Sequence, residues 1–317
     1  MYYIQTSFKN NKKEKSDKMG YLAQRKKHIR TDFILKSLIV LLGLFSLIAF
    51  AENAPGQFFN QWRFQFYLLS LAVTLYALAS HFFLYSFLAL LLMLLNFFVV
   101  SSSVPVLFSG GSLPKTAPLS FVYQRQTSSL LDIFETAAGR QAAVLAVVNP
   151  LLGGSKAAEL MPKDYHLAGN VENGSFMVTS EKPLGAGRIN LGGHNTAAFA
   201  AIEIKGRKYV FLSLDLSRQT PAEREQALGY VNNFVASQDD PVIIFGDFGI
   251  PAWAPAFGRF LDSSGLEVKN DLFSLLRNVI FPPTWYITGY RNLEFDGSRR
   301  LPRRDNRFAP VLFRLKF

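Results

Sequence analysis

The sequence predicts a chain in two parts: apolar membrane-spanning helices first, then a mixed α/β domain. Two observations carry this. Stretches 33–51 and 64–100 are almost free of charge, and from residue 118 onward short strand-like runs alternate with helical patterns. Composition narrows the class further. The chain has 317 residues, 49% hydrophobic and only 18% charged, which excludes disorder for most of its length. With 22 Gly and 15 Pro on no fixed period, a collagen-like fibre is excluded. Zero Cys excludes disulfides, thiolate zinc sites, iron–sulfur clusters and a cysteine nucleophile, and leaves the compartment open.

Taken in order, residues 1–32 form a basic tail with nine Lys/Arg against Glu14, Asp17 and Asp32. The stretch Phe33 to Ala51 carries one charge, Lys36, near its start. At 1.5 Å per residue its length is about 28 Å, close to the hydrocarbon thickness of a bilayer. The stretch from Phe64 to Val100 is too long for one crossing, so a hairpin is predicted, with spans 64–80 and 82–100 and a turn at Ser80-His81. Pro55 and Gly56 read as turn residues between the two stretches, and Trp62 stands where an interfacial aromatic would. A cleaved signal peptide fits less well, because apolar spans follow the first. Buried helices of a soluble protein fit less well too, because these spans show no polar face.

The positive-inside rule places the tail in the cytoplasm, since the segments between spans carry almost no Lys or Arg. One crossing or three then puts the C-terminal domain on the far side of the cytoplasmic (inner) membrane, in the periplasm or outside the cell. Residues 101–117 read as a Ser/Gly/Pro linker.

In the domain, 118–317, strands are predicted at 118–123, 142–148, 175–180, 197–204, 208–216, 241–245 and 310–317, and a helix within 126–139. Gly206 marks a hairpin. Thr220-Pro221-Ala222-Glu223 is a helix start, with a cap, a Pro in the first turn and an acid at the third position. Leu228, Val231 and Val235 follow at helical spacing, and a second helix is predicted over 255–263. Residues 291–317 hold eight Lys/Arg against three acids, so the two basic ends account for the whole net charge of +11. A neutral body argues against nucleic-acid binding.

The sharpest feature is the run Val242 to Leu266. A buried strand ends in Gly246-Asp247, and a loop with Pro251 and Trp253 leads into a helix. An acid just past a strand's carboxyl end is a common ligand-binding position in α/β proteins. The order Gly246-Asp247-Phe248-Gly249-Ile250-Pro251-Ala252-Trp253-Ala254-Pro255-Ala256-Phe257 resembles the segment GDFN-x-x-P-W-S-P-x-F of membrane-anchored bacterial members of the endonuclease/exonuclease/phosphatase superfamily. That resemblance implies a four-layer α/β sandwich of two packed mixed sheets over 118–317, and Mg²⁺-dependent hydrolysis of phosphate esters.

Carried across residue by residue, the resemblance also implies losses. Asn149 stands where a metal-binding Glu belongs, and Asn is a poorer Mg²⁺ ligand. The Asp-x-Asn pair becomes Asp247-x-Gly249. Asp215 replaces a His at the end of the 208–216 strand. The late Ser-Asp-His falls on Asn306-Arg307-Phe308 without a gap or on Arg304-Asp305-Asn306 with a two-residue shift, and neither supplies a His. His28, His81, His166 and His194 do not rescue it, and read as tail, membrane-region or surface residues. Loss of several groups, each worth about 10²–10⁴-fold, leaves negligible turnover.

The favoured reading is therefore a catalytically impaired protein that binds an anionic, phosphate-bearing ligand or a protein partner. Asn149, Trp253, Asn306, Arg304 and Arg307 are the candidate binding residues. In that reading no cofactor is assigned. The alternative is an active phosphodiesterase or phosphatase in which Asp247, Asp215 and Asp305 hold Mg²⁺ or Mn²⁺. A third reading makes the membrane part functional, with Asn96 as its candidate residue.

Overall fold

A computed structural model describes residue 26 and residues 28–51, 54–103, 119–125, 130–148, 159–168, 175–192, 196–269, 284–290, 292–293, 295–301 and 310–315. The chain divides into two compact units, Met1–Phe97 and Phe98–Phe317.

The described residues of the first unit are mainly helical. Helix α1 covers His28–Ile48, α2 Ala54–Gln61, α3 Arg63–Ala79 and α4 Phe83–Ser103. Both α1 and α4 are long and apolar enough to cross a membrane, whereas α3 has 17 residues. The sequence placed a turn at 55–56, but the structure has a helix there. Pro55 lies in its first turn, where a missing N–H costs nothing. Gly56 is needed for a different reason, because a Cβ there would collide with the Ala51 carbonyl. The hairpin at Ser80-His81 is present. His81 adopts a left-handed φ of 62°, and the Phe82 N–H closes the turn on the Ala77 carbonyl at 2.8 Å.

Leu35, Ile39 and Leu42 of α1 pack on Val73 and Ala77 of α3 and Ala89 of α4. The small alanines let the helices approach. Large apolar side chains such as Phe83, Phe87, Leu91 and Leu94 point outward. The polar ones turn inward: Arg63, Asn96, Ser46 and Ser70 are buried. This is the reverse of a water-soluble bundle.

The second unit is a sandwich of two six-stranded sheets. The first has the order β11-β12-β1-β2-β4-β3, the second β5-β6-β7-β8-β10-β9. The strands are β1 Leu119–Arg125, β2 Ala142–Val148, β3 His166–Ala168, β4 Ser175–Thr179, β5 Gly185–Asn190, β6 Thr196–Ile204, β7 Arg207–Asp215, β8 Val242–Asp247, β9 Leu266–Val268, β10 Trp285–Tyr290, β11 Phe295–Arg300 and β12 Val311–Leu315. Each sheet contains one parallel pair joined by a helical crossover. Helix α5 (Leu130–Gly139) joins β1 to β2, and α6 (Pro221–Ala236) joins β7 to β8. All other described pairings are antiparallel.

Period-two alternation along β2 shows the layering. Val144, Ala146 and Val148 face the second sheet and meet Ala200, Phe211, Phe245 and Ile287. Leu145 and Val147 face the other way, onto Leu130, Ile133 and Phe134 of α5. Because β2 is covered on both sides, it reads as an unbroken apolar run. On the outer face of the second sheet, Tyr286 packs on Phe257 of α7 (Pro255–Ser264) with ring centres 5.3 Å apart. The four layers are α5, first sheet, second sheet, and α6 with α7. Strand β12 lies between β11 and β1, so the first strand of the domain pairs with residues nearly 200 positions later.

Helix α6 begins where its sequence predicts. Glu223 N–H donates to Thr220 Oγ1 at 3.4 Å, and Thr220 N–H donates to Glu223 Oε2 at 2.9 Å. The β6–β7 hairpin turns through Lys205 and Gly206, both at positive φ (52° and 77°).

Candidate functional site

The parallel pairing of β7 with β8 sets Asp215 opposite Asp247, at the carboxyl ends of both strands. The Leu216 N–H donates to the Asp247 carbonyl at 2.7 Å and extends the pairing by one residue. The two carboxylates are thus neighbours by register. Their loops then turn back on them. Asp247 Oδ1 accepts from Gly249 N–H at 3.1 Å, and Asp215 Oδ1 accepts from Ser217 N–H at 2.9 Å. Asp247 is 2% exposed. Burial pushes the Asp215 carboxyl above its ordinary range; the Ser217 hydrogen bonds oppose this, and the Asp247 charge adds to it.

Trp253 is 4% exposed, the burial of a core side chain. The loop that carries it is fixed from the sheet, because Ala252 N–H donates to Tyr286 Oη at 2.7 Å. Burial raises the Tyr286 pKa well above its ordinary value, so this phenol stays neutral. His166 lies exposed on β3, an edge strand of the first sheet. Asn149, Arg304, Asp305, Asn306, Arg307 and His194 lie outside the described residues.

Two further groups at this end of the sheet are not among the residues that the sequence singles out. Arg224 of α6 is 9% exposed and donates from Nη2 to the Gln219 carbonyl at 2.8 Å, while its Nε is buried without a hydrogen bond. Burial lowers its pKa and the Asp247 charge opposes that shift. Gln219 is buried too, and among the described residues neither its side-chain oxygen nor its nitrogen has a partner. A signal for Arg224 existed, since it extends the apolar stripe of Leu228, Val231 and Val235 backward by one helical turn.

The helical unit holds a second polar cluster. Arg63 is fully buried, with its guanidinium 3.9 Å from the centre of the Phe50 ring. Its Nη1 donates to Asn96 Oδ1 at 3.3 Å, and Asn96 Nδ2 donates to Ser46 Oγ and to the Leu92 carbonyl, both at 2.9 Å. Asn96, singled out in the sequence, is therefore the junction of α1, α3 and α4.

Whether Mg²⁺ fits can be judged from the donors. Among the described residues, no group of three or more His, Cys, Asp or Glu is placed to hold a metal. Asp215 and Asp247 each have an oxygen committed to their own loop. The described donors do not fit a divalent cation, which needs about six oxygens.

No protein-family model matches the sequence, and a search of curated proteins returned no match. Solved structures do match. An endonuclease/exonuclease/phosphatase from Bacteroides vulgatus aligns with a TM-score of 0.52 and 9% identity, over 62% of this chain and 98% of that one. A conserved protein from Enterococcus faecalis V583, described as functionally unknown, aligns with a TM-score of 0.50 and 8% identity, over 62% and 99%. A mannosyl-6-phosphatase from Bacteroides thetaiotaomicron aligns with a TM-score of 0.48 and 13% identity, over 63% and 100%. The fold is that of the endonuclease/exonuclease/phosphatase proteins.

Proposed function

We propose that the chain is a membrane-anchored, phosphoesterase-like protein whose hydrolytic site is impaired, and that it acts by binding a phosphate-bearing ligand or a protein partner outside the cytoplasm. The observation that carries this is the turn after β8. Asp247 stands where the resemblance places the acid of the Asp-x-Asn pair, but Gly249, two residues on, has φ 67° and no room for a side chain. The amide that the resemblance places there cannot be restored without moving the chain. Anchoring is supported by α1 and α4, which expose large apolar side chains while the bundle buries Arg63, Asn96, Ser46 and Ser70. The basic tail supports a cytoplasmic amino terminus.

The side-by-side placement of Asp215 and Asp247 favours a second reading, an active Mg²⁺- or Mn²⁺-dependent hydrolase whose third ligand is Asp305. One assay separates the two. The full chain in detergent is given bis-p-nitrophenyl phosphate and p-nitrophenyl phosphate, with Mg²⁺ and with Mn²⁺. The impaired reading expects turnover no higher than that of Asp247→Ala. Metal-dependent turnover that vanishes in Asp247→Ala overturns it.

A further inference from the structure

The helical unit buries a cation and supplies no anion for it. Arg63 opens α3 and is fully buried. Through Asn96 it is tied to Ser46, near the end of α1. The acid described in this unit, Asp32, lies near the start of α1, at the other end of the bundle. It is engaged there, accepting from Tyr85 Oη at 2.6 Å and pairing with Lys36 Nζ at 3.0 Å. Arg63 therefore has no carboxylate partner among the described residues. Its Nε is buried without a hydrogen bond. A buried cation is costly unless opposite charge lies close by, and more so within a bilayer.

What the cluster offers is hydrogen-bond donors. Besides Arg63 Nε there is the hydroxyl of Ser46, whose oxygen accepts from Asn96 Nδ2 and which donates to none of the described residues. A guanidinium with a spare donor beside it, and no acid, is the complement of a phosphate group. One face of the guanidinium carries the Phe50 ring, 3.9 Å away at its centre, and Phe50 is 50% exposed. On a membrane-embedded bundle that exposed surface meets lipid, so entry to Arg63 is sideways from the bilayer.

We propose that Arg63 is a binding site for the phosphate of an anionic phospholipid headgroup, reached when the Phe50 ring turns aside, in the leaflet opposite the basic tail. A zwitterionic headgroup brings its own cation beside the phosphate and leaves Arg63 unbalanced. The inference rests on reading α1 and α4 as membrane helices, and it is independent of the cleft in the C-terminal unit.

The test uses the full chain in phosphatidylcholine vesicles. A small part of the lipid carries bromine on its acyl chains, with either a phosphatidylglycerol or a phosphatidylcholine headgroup. Bromine quenches tryptophan on contact, and the signal lost in Trp62→Phe isolates Trp62, the residue before Arg63. The wild-type chain is expected to prefer phosphatidylglycerol about fivefold, the effect of one basic group on an anionic lipid. Arg63→Met keeps the bulk and loses the preference; the basic tail is the same in both chains and cannot account for the difference. Should Arg63→Met not insert, Arg63→Gln carries the same measurement, since it removes the charge and keeps a donor for Asn96. Phe50→Ala uncovers the guanidinium and raises the preference. No preference in the wild-type chain, or the same preference in the uncharged variant, overturns the proposal. So does a preference that appears only in Glu52→Gln, which would make that acid the counter-charge, and so does loss of the preference in excess inorganic phosphate, which would assign the site to a soluble ion. Release of the chain from membranes by alkaline carbonate without detergent would overturn the membrane reading and the site with it; retention without lipid preference overturns the site alone.

Discussion

Two glycines of the C-terminal unit share a backbone conformation and differ in their surroundings, which allows strain and collision to be measured apart. Gly249 has φ 67° and Gly265 has φ 68°. At Gly265 an added Cβ meets nothing nearer than Tyr290 Cε1 at 4.0 Å. Gly265→Ala therefore bears only the left-handed penalty, about 1–2 kcal/mol. At Gly249 the same atom lies 2.6 Å from the Leu216 carbonyl oxygen, which is backbone and cannot swing away, and 2.9 Å from buried Arg224 Nε. Overpacking of that kind adds about 1–3 kcal/mol. With about 2–4 °C per kcal/mol for a domain of this size, Gly265→Ala lowers the midpoint by about 4 °C and Gly249→Ala by about 10 °C. Thermal unfolding of the full chain in detergent reads both, followed by tryptophan fluorescence in a Trp62→Phe background so that the signal comes from Trp253 and Trp285. Equal midpoints would refute the claim that Arg224 and Leu216 crowd position 249. Gly249→Asn, which puts in the amide that the resemblance implies, is expected to lose stability in the same way and to gain no hydrolysis.

Further outcomes follow from other features. Asp215 has a raised pKa in the fold, so its contribution is intact at low pH and stability is lost as pH rises through the folded pKa. Asp215→Asn keeps the acceptor for Ser217 N–H and should raise the unfolding midpoint at pH 7 while leaving it unchanged near pH 3. Thr220→Ala removes the α6 cap and should cost about 1 kcal/mol in urea unfolding. In the helical unit, Asn96→Ala leaves Arg63 Nη1 without its acceptor and should cost about 1–3 kcal/mol; Arg63→Met, which removes the buried charge and keeps the bulk, should be neutral or stabilising. Heating in detergent followed by size-exclusion chromatography ranks the two. Finally, the natural absence of Cys allows a single exposed reporter. Ser237→Cys, after α6, should react with a membrane-impermeant maleimide in intact cells, or in spheroplasts where an outer membrane is present. Labelling only after lysis would reverse the proposed orientation.

Much of the fold was legible because its elements carry local signals. Residues 142–148 form β2 with the boundaries that their apolar run indicates, and the cap at Thr220 and the Gly206 turn lie where they were placed. Of the strands not predicted, β3 and β9 have only three residues each, and β5 and β11 have weak signals or irregular pairing. In β5 two glycines dilute the pattern, and it lies at a sheet edge. In β11 the polar run FDGSRR pairs with a register shift between Phe295 and Gly297. For β10 the β-formers Trp285, Tyr286, Ile287 and Thr288 are signal enough. At the site, Asp215 and Asp247 were each picked out from the sequence, but their pairing depends on strand register. Arg224 was hidden because a charged residue on a helix is ordinarily assigned to solvent; only three-dimensional packing turns this one inward.

The placement of β12 has a consequence for synthesis. As the nascent polypeptide leaves the ribosome, β1 emerges with one of its two edges committed to a segment not yet translated. At 5–20 residues per second, the interval before residues 311–315 appear is about 10–40 s. During that time the first sheet stays incomplete and its exposed β1 edge invites wrong pairing. Such a chain benefits from a chaperone that holds it extended, and a premature stop shortly before residue 311 would leave the β1 and β11 edges that flank β12 without their shared partner.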